Sequence, residues 1–156
     1  MSLVSGNVKM ALLAFCGLVA ICSSSLGDVV INEVELSPSD NGTVWVELYN
    51  TGDGAVDLAG WMIKIEDEPW AGPIALSGTI DPKGFNVAEG QSSWVTSGNG
   101  TVYLIDISGT VVDKTPELSD LEHNDFTYGR FPDGKNTNTR ADFFFMRASK
   151  GRSNSV

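Results

Sequence analysis

Cysteine, histidine and long apolar runs are what this chain of 156 residues has least of. Its two cysteines, Cys16 and Cys22, both fall within the first 27 residues. Residues 28–156 therefore hold no thiol for a disulfide, a redox pair or a metal site. His123 is the single histidine. A zinc centre needs roughly three or four converging ligands, and a Ser-His-Asp arrangement has neither a strand-turn-helix elbow nor other supporting context in the sequence. The one apolar run, 10–22, is 13 residues long, short of the ~20 needed to cross a bilayer. Bases are scarce too, 10 Lys and Arg against 20 Asp and Glu for a net charge of −10. Nucleic acid and anionic membranes are poor partners for such a surface, and cations and basic partners are better ones.

The leading segment has the form of an export signal. Lys9 precedes the apolar run, and Ser25-Leu26-Gly27 sets small residues where a signal peptidase reads. We expect a signal peptide at 1–27, cleavage before Asp28, and no stable membrane span in the mature chain. Ile21 and Phe15 stand before the two cysteines, where a lipoprotein signal requires a small residue.

From Asp28 onward, no stretch of ten residues repeats apolar side chains at helical spacing. Short apolar or alternating runs appear instead, at 29–36, 44–50, 61–66, 74–80, 85–88, 102–107, 110–113, 126–131 and 143–147, rich in β-branched and aromatic residues. Asn41-Gly42, Gly52-Asp53-Gly54, Asp81-Pro82, Asn99-Gly100, Ser108-Gly109 and Pro132-Asp133-Gly134 punctuate them as turns. Many short strands divided in this way predict an all-β sandwich or barrel. The clearest hairpin spans 101–114, where Gly109 supplies the positive φ of a tight reversal. Residues 114–125, with Pro116 and scattered acids, read as a long connection, and 149–156 reads as a polar tail that frays.

Residues 45–64 spell WVELYNTGDGAVDLAGWMIK, and here the chain resembles the lamin tail domain family, in particular its prokaryotic extracellular branch. Three further segments fit in order: Ile31-Asn32-Glu33-Val34 with Pro38, Ser97-Gly98-Asn99-Gly100 before the hairpin, and Tyr128-Gly129-Arg130-Phe131-Pro132-Asp133-Gly134. The resemblance implies an immunoglobulin-like two-sheet β-sandwich over 28–148, with Trp45, Glu47, Trp61, Gly109, Arg130, Pro132 and Gly134 as structural motif residues. The family often closes on Thr-Pro-Gly-x-x-Asn, whereas this chain has Ser149-Lys150-Gly151-Arg152-Ser153-Asn154. Without the proline the last stretch is less preset in extended form.

No catalytic residue and no cofactor are expected. Carboxylates make calcium the most credible metal, with Glu66, Asp67 and Glu68 as weak candidates beside Ser39-Asp40-Asn41 and Asp53 with Asp57. None has the spacing of a calcium loop. Asn41-Gly42-Thr43 and Asn99-Gly100-Thr101 are glycosylation sequons in expected turns. Trp70 and Trp94 stand in loop-like stretches, as caps on the core or as contact points. Val46 and Leu48 share one face of their strand, with Trp45, Glu47 and Tyr49 on the other. Eighteen acids and three bases occupy 28–125, while Arg130, Lys135, Arg140, Arg147, Lys150 and Arg152 crowd the C-terminal part. We expect those basic strands to lie beside acidic ones. The resulting expectation is a secreted or cell-surface, non-catalytic interaction or adhesion module that binds a protein or surface polymer. The alternatives are a carboxylate-based or metal-assisted hydrolase and a nucleic-acid-binding lamin-tail-like domain.

Overall fold

All seven residues of β1 (Val29–Glu35) are buried, which places this strand in the middle of the molecule, covered on both faces. Its neighbour β2 (Trp45–Asn50) is buried almost throughout. The computed structural model describes residues 28–39, 42–66, 72–91 and 97–156. The expected signal peptide, Asp40, Asn41, Asp67, Glu68, Trp70 and Trp94 lie outside these residues.

The remaining strands follow in chain order: β3 (Val56–Asp57), β4 (Met62–Glu66), β5 (Ile74–Ala75), β6 (Thr79–Ile80), β7 (Phe85–Glu89), β8 (Asn99–Ile105), β9 (Val111–Lys114), β10 (Leu118–Ser119), β11 (Phe126–Arg130) and β12 (Phe143–Arg147). One sheet runs β12-β11-β1-β2-β7, and the other runs β10-β8-β4-β5 with β9 also on β8. All their pairings are antiparallel. The two enclose one core in an immunoglobulin-like sandwich, as expected. Ile31, Val46 and Leu48 meet Trp61, Ile63, Val102 and Leu104 there. β4 shows why the sequence folds this way: Ile63 and Ile65 point inward while Met62, Lys64 and Glu66 alternate to solvent.

Two local features of the ladders shape the surface. The β1–β2 register slips between Ile31 and Glu33, leaving Asn32 as the extra residue of a bulge that re-aims its side chain. In the expected hairpin, β8 and β9 pair and Gly109 has φ +84°.

The structure corrects three expectations. Residues 149–156 are no frayed tail, because Ser149 and Asn154 are buried and bonded into the first sheet. Asn99 stands in β8 opposite Ser119 rather than in a turn, since the ladder begins earlier than its β-branched residues suggested. The connection 114–125 itself contributes β10.

Candidate interaction surface

The outer face of β1 and β2 is sealed by the C-terminal segment, and the seal is polar. Glu33 Oε1 accepts hydrogen bonds from the Thr127 hydroxyl at 2.5 Å and the Ser149 N–H at 2.8 Å. The Ser149 hydroxyl lies 2.9 Å from Glu33 Oε2 and 2.6 Å from Asn154 Oδ1. Glu47, fully buried, accepts from Asn32 Nδ2 at 2.9 Å and from the Gly151 N–H at 2.6 Å. Burial pushes the Glu47 carboxyl up to about 7, against those two donors and with help from the charges of Glu33 and Asp133. The bulged Asn32 also bonds Asp133 at 3.0 Å and accepts the Gly134 N–H at 3.0 Å, tying the Pro132-Asp133-Gly134 turn to β1. A glycine is needed in that turn: Gly134 has φ +71°, and a Cβ would meet Thr51 Cγ2 at 2.7 Å and Tyr49 Cδ1 at 2.8 Å.

Between the sheets, Arg130 is 1 % exposed. Its guanidinium bonds Asp113 at 3.0 Å, the Ile31 carbonyl at 2.7 Å and the Lys135 carbonyl at 2.7 Å, and it lies 3.5 Å from Asp142. Burial works against a charge on Asp142. The Thr137 hydroxyl and the N–H groups of Thr137 and Thr139, with Arg130 beside them, nevertheless hold its carboxyl below the usual range.

At one end of the sandwich Pro38 and Asn124 form an isolated bridge, and Ser37 Oγ lies 3.1 Å from His123 Nδ1. Ser37 is buried, so this serine cannot meet a substrate as a nucleophile. Glu35 lines an open cavity there with Asn124, Asp125, Trp45, Lys150 and Glu89. Burial, reinforced by the charges of Asp120, Glu33 and Asp125, pushes its carboxyl up to about 7 against the lowering effect of the Ser37 N–H. Glu89 is paired with Lys150 at 2.5 Å.

The exposed chemistry lies on β11 and β12. Phe144 and Phe145 are exposed. The Phe126 and Phe145 rings stack at 5.5 Å, and Phe145 meets Tyr128 at 5.1 Å. Arg147 sits 5.9 Å over Phe126 and Arg140 sits 4.9 Å over Tyr128. The expectation that basic strands lie beside acidic ones fails at these two arginines. β12 pairs with β11, and the residue opposite Arg147 is Phe126, so each guanidinium finds a ring face.

This all-β two-sheet sandwich agrees with the comparison to known families. The lamin tail domain model matches residues 23–117. The chain belongs to the lamin tail domain family. No curated protein matches it. Lamin tail domains are immunoglobulin-like interaction modules, generally non-catalytic and with no known need of a cofactor.

In this lamin tail domain the expected motif residues stand on β2 and β11 and in the connecting segments. Trp61 is in the core, Trp45 lies under Lys150 at 5.4 Å, and Arg130, Pro132 and Gly134 carry the inter-sheet and turn contacts. The face of β2 that carries Trp45 and Glu47 is covered, because Glu47 lies beneath Gly151. Glu66 accepts from the Tyr103 hydroxyl, and Asp57 caps the Ala59 N–H at 3.0 Å. Asp53 pairs with Lys83 at 3.2 Å. Thus the described acids among those considered for calcium, Asp53, Asp57 and Glu66, each meet a different partner. No group of three His, Cys, Asp or Glu side chains fit to hold a metal occurs among the described residues. No helix among them is long and apolar enough to cross a membrane. Sequence reasoning missed Glu33, Glu35, Asp113, Asp142, Ser149 and Asn154. Acids at alternate positions of an otherwise apolar strand, Glu33 and Glu35, were the available signal.

Proposed function

We propose that this lamin tail domain is an exported interaction module, delivered by a signal peptide at 1–27, that binds a partner outside the cytoplasm without altering it chemically. What supports this most is the row of rings and arginines on β11, β12 and the 3₁₀ turn before β12, where Phe145, Arg140 and Arg147 are exposed and Phe126 and Tyr128 partly so. That row offers a contact surface on a frame in which Arg130, Asp113 and Asp142 are held in buried ion pairs. Aromatic side chains and arginine dominate recognition surfaces because they offer large apolar area with directed hydrogen bonds. Acidic chemistry at the Glu35 cavity is the second reading, favoured by a carboxyl raised to about 7 beside open space. Hydrolysis by a carboxylate pair needs a second acid poised opposite the first. Of the other cavity acids, Glu89 is held by Lys150 and Asp125 stands in solvent. Expression of the full chain from its own leader, followed by fractionation and capture of surface material, tests the proposal. Mature protein beginning at Asp28 that retains such material intact supports it. Material cleaved by the wild type and spared by Glu35→Gln supports the hydrolase.

A further inference from the structure

Alternate main-chain groups of β7 point away from their sheet without a partner among the described residues. The ladder with β2 runs without a bulge from Tyr49 opposite Phe85 to Trp45 opposite Glu89. The bonds just beyond its ends fix its phase: Gly90 donates to the Val44 carbonyl at 2.8 Å, and Asn50 donates to the Gly84 carbonyl at 3.0 Å. Bonded and non-bonded pairs alternate along an antiparallel ladder, so Asn86 and Ala88 direct their N–H and C=O groups to β2. Phe85, Val87 and Glu89 turn theirs outward, and no other strand lies beside β7 among the described residues.

The other edges are shorter or obstructed. At β12, the Phe143 N–H bonds the Arg140 carbonyl, and Arg140 Nη1 lies 3.4 Å from the Phe143 carbonyl. β5 and β10 are two residues long each. β7 itself holds no proline, no lysine and no bulge, three devices that blunt an edge against pairing. Beside it the sandwich is open: Ile74, Leu76 and Ser77 face Asn86, Ala88 and Glu89 across a cavity of about 310 Å³. Ile74 and Leu76 belong to the core, so apolar side chains border this opening.

We infer that β7 takes up an extended peptide segment of a partner protein as a further strand, whose inward side chains enter the opening. Another extended main chain matches the spacing of donors and acceptors at Phe85, Val87 and Glu89, which a sugar or a helix does not. Charge then selects among strands. The one charged side chain that lines the opening is Glu89, already paired with Lys150, and the chain carries a net charge of −10. A neutral or basic segment meets no repulsion, whereas a second copy joined edge to edge brings two such bodies together. The inference goes beyond the interaction-module reading, because β7 is at the opposite edge of the sheet from β12 and its rings.

Fluorescence anisotropy and amide exchange of the full chain with a short labelled peptide, alternating valine and threonine between terminal lysines, test this. The peptide binds a monomer. The amides of Phe85, Val87 and Glu89 exchange freely in the unbound protein and become protected in the complex. N-methylation of every second peptide amide weakens binding at least tenfold in one phase and spares it in the other. Val87→Pro, which removes an outward N–H that β2 does not use, melts near wild type and binds at least tenfold more weakly, whereas Ala88→Pro lowers the melting temperature. Should Val87→Pro fail to fold, the methylated peptides decide. No binding, equal loss in both methylation phases, full binding by folded Val87→Pro, or tighter binding of a glutamate-flanked peptide overturns the inference. So does a dimer, or protection of those three amides in the unbound protein. If the peptide fails while exported protein still captures surface material, this inference falls and the module reading stands. If the chain is not exported, the module reading falls, and the peptide titration still decides the edge.

Discussion

Arg130 and Asp113 together close the open edge of β1 at Ile31. The Asp113 carboxylate, from the opposite sheet, accepts the Ile31 N–H at 2.8 Å, and Arg130 Nε donates to the Ile31 carbonyl at 2.7 Å. The β1–β11 ladder pairs only Glu33 and Val34, so these side chains replace a strand that is not there. The ion pair between them, at 3.0 Å with both side chains 2 % exposed, ties the two sheets into one body.

Removing one partner of that pair should be severe. Arg130→Leu leaves Asp113 buried without its cation and Asp142 with Lys135 alone, and loss of one side of a buried pair costs about 3–5 kcal/mol. Urea unfolding should show that loss, whereas Lys83→Ala, at an exposed pair, should shift stability by less than about 1 kcal/mol.

Glu35 and Glu47 make stability fall as pH rises. Their folded values of about 7 exceed the ordinary 4.5, so the protonated form is favoured by folding. Their contribution is complete below 4.5 and is lost as pH climbs through about 7. Melting temperature should therefore rise between pH ~8 and ~5. Asp142, held low, acts oppositely and withdraws its contribution only as the solution becomes acidic enough to protonate it in the fold. Glu35→Gln, neutral at every pH, should be more stable than wild type at pH ~8 by up to ~3 kcal/mol and indistinguishable at pH ~4. A pH series of thermal melts on both proteins checks this.

The C-terminal segment should behave as part of the domain. Asn154 Nδ2 donates to the Arg130 carbonyl at 2.9 Å and its N–H to Asp133 at 3.0 Å. Asn154→Ala should cost roughly 1–3 kcal/mol through unsatisfied buried groups. Removal of 149–156 should cost more, since Glu33 and Glu47 then lose donors as well. Denaturant titration, with amide exchange read in β1, measures both.

Two glycines separate backbone strain from crowding. Gly109→Ala meets open space and suffers only from φ +84°, about 1–2 kcal/mol. Gly134→Ala adds a collision with Thr51 and Tyr49 to a φ of +71°. It should be the more destabilising of the two in the same unfolding assay.

Much of the fold was legible because alternation and turn chemistry act locally. Ile63 and Ile65 against Lys64, or Gly109 at the tip of its hairpin, declare themselves within a few residues. Ser149 and Asn154 did not, because a small polar residue reads as exposed until its partner is known, and Glu33 lies 116 residues away from Ser149. Alternation set Glu47 opposite Val46 and Leu48 and could go no further, because only the returning C-terminus covers it. The aromatic row lay in plain sight, with Phe126, Tyr128 and Phe145 interleaved among the bases. Reading those bases as partners for acids hid it, since pairing of β11 with β12 is what brings ring and guanidinium to one face.

Whether the protein is an exported module that holds its partner without changing it can be decided by one measurement. That measurement is the intact mass and location of the protein expressed as the full chain, together with the fate of what it captures. A mature species starting at Asp28, found outside the cytoplasm and bound to surface material that stays intact, is the predicted result. A cytosolic protein of all 156 residues, or captured material degraded in a manner that depends on Glu35, would contradict it.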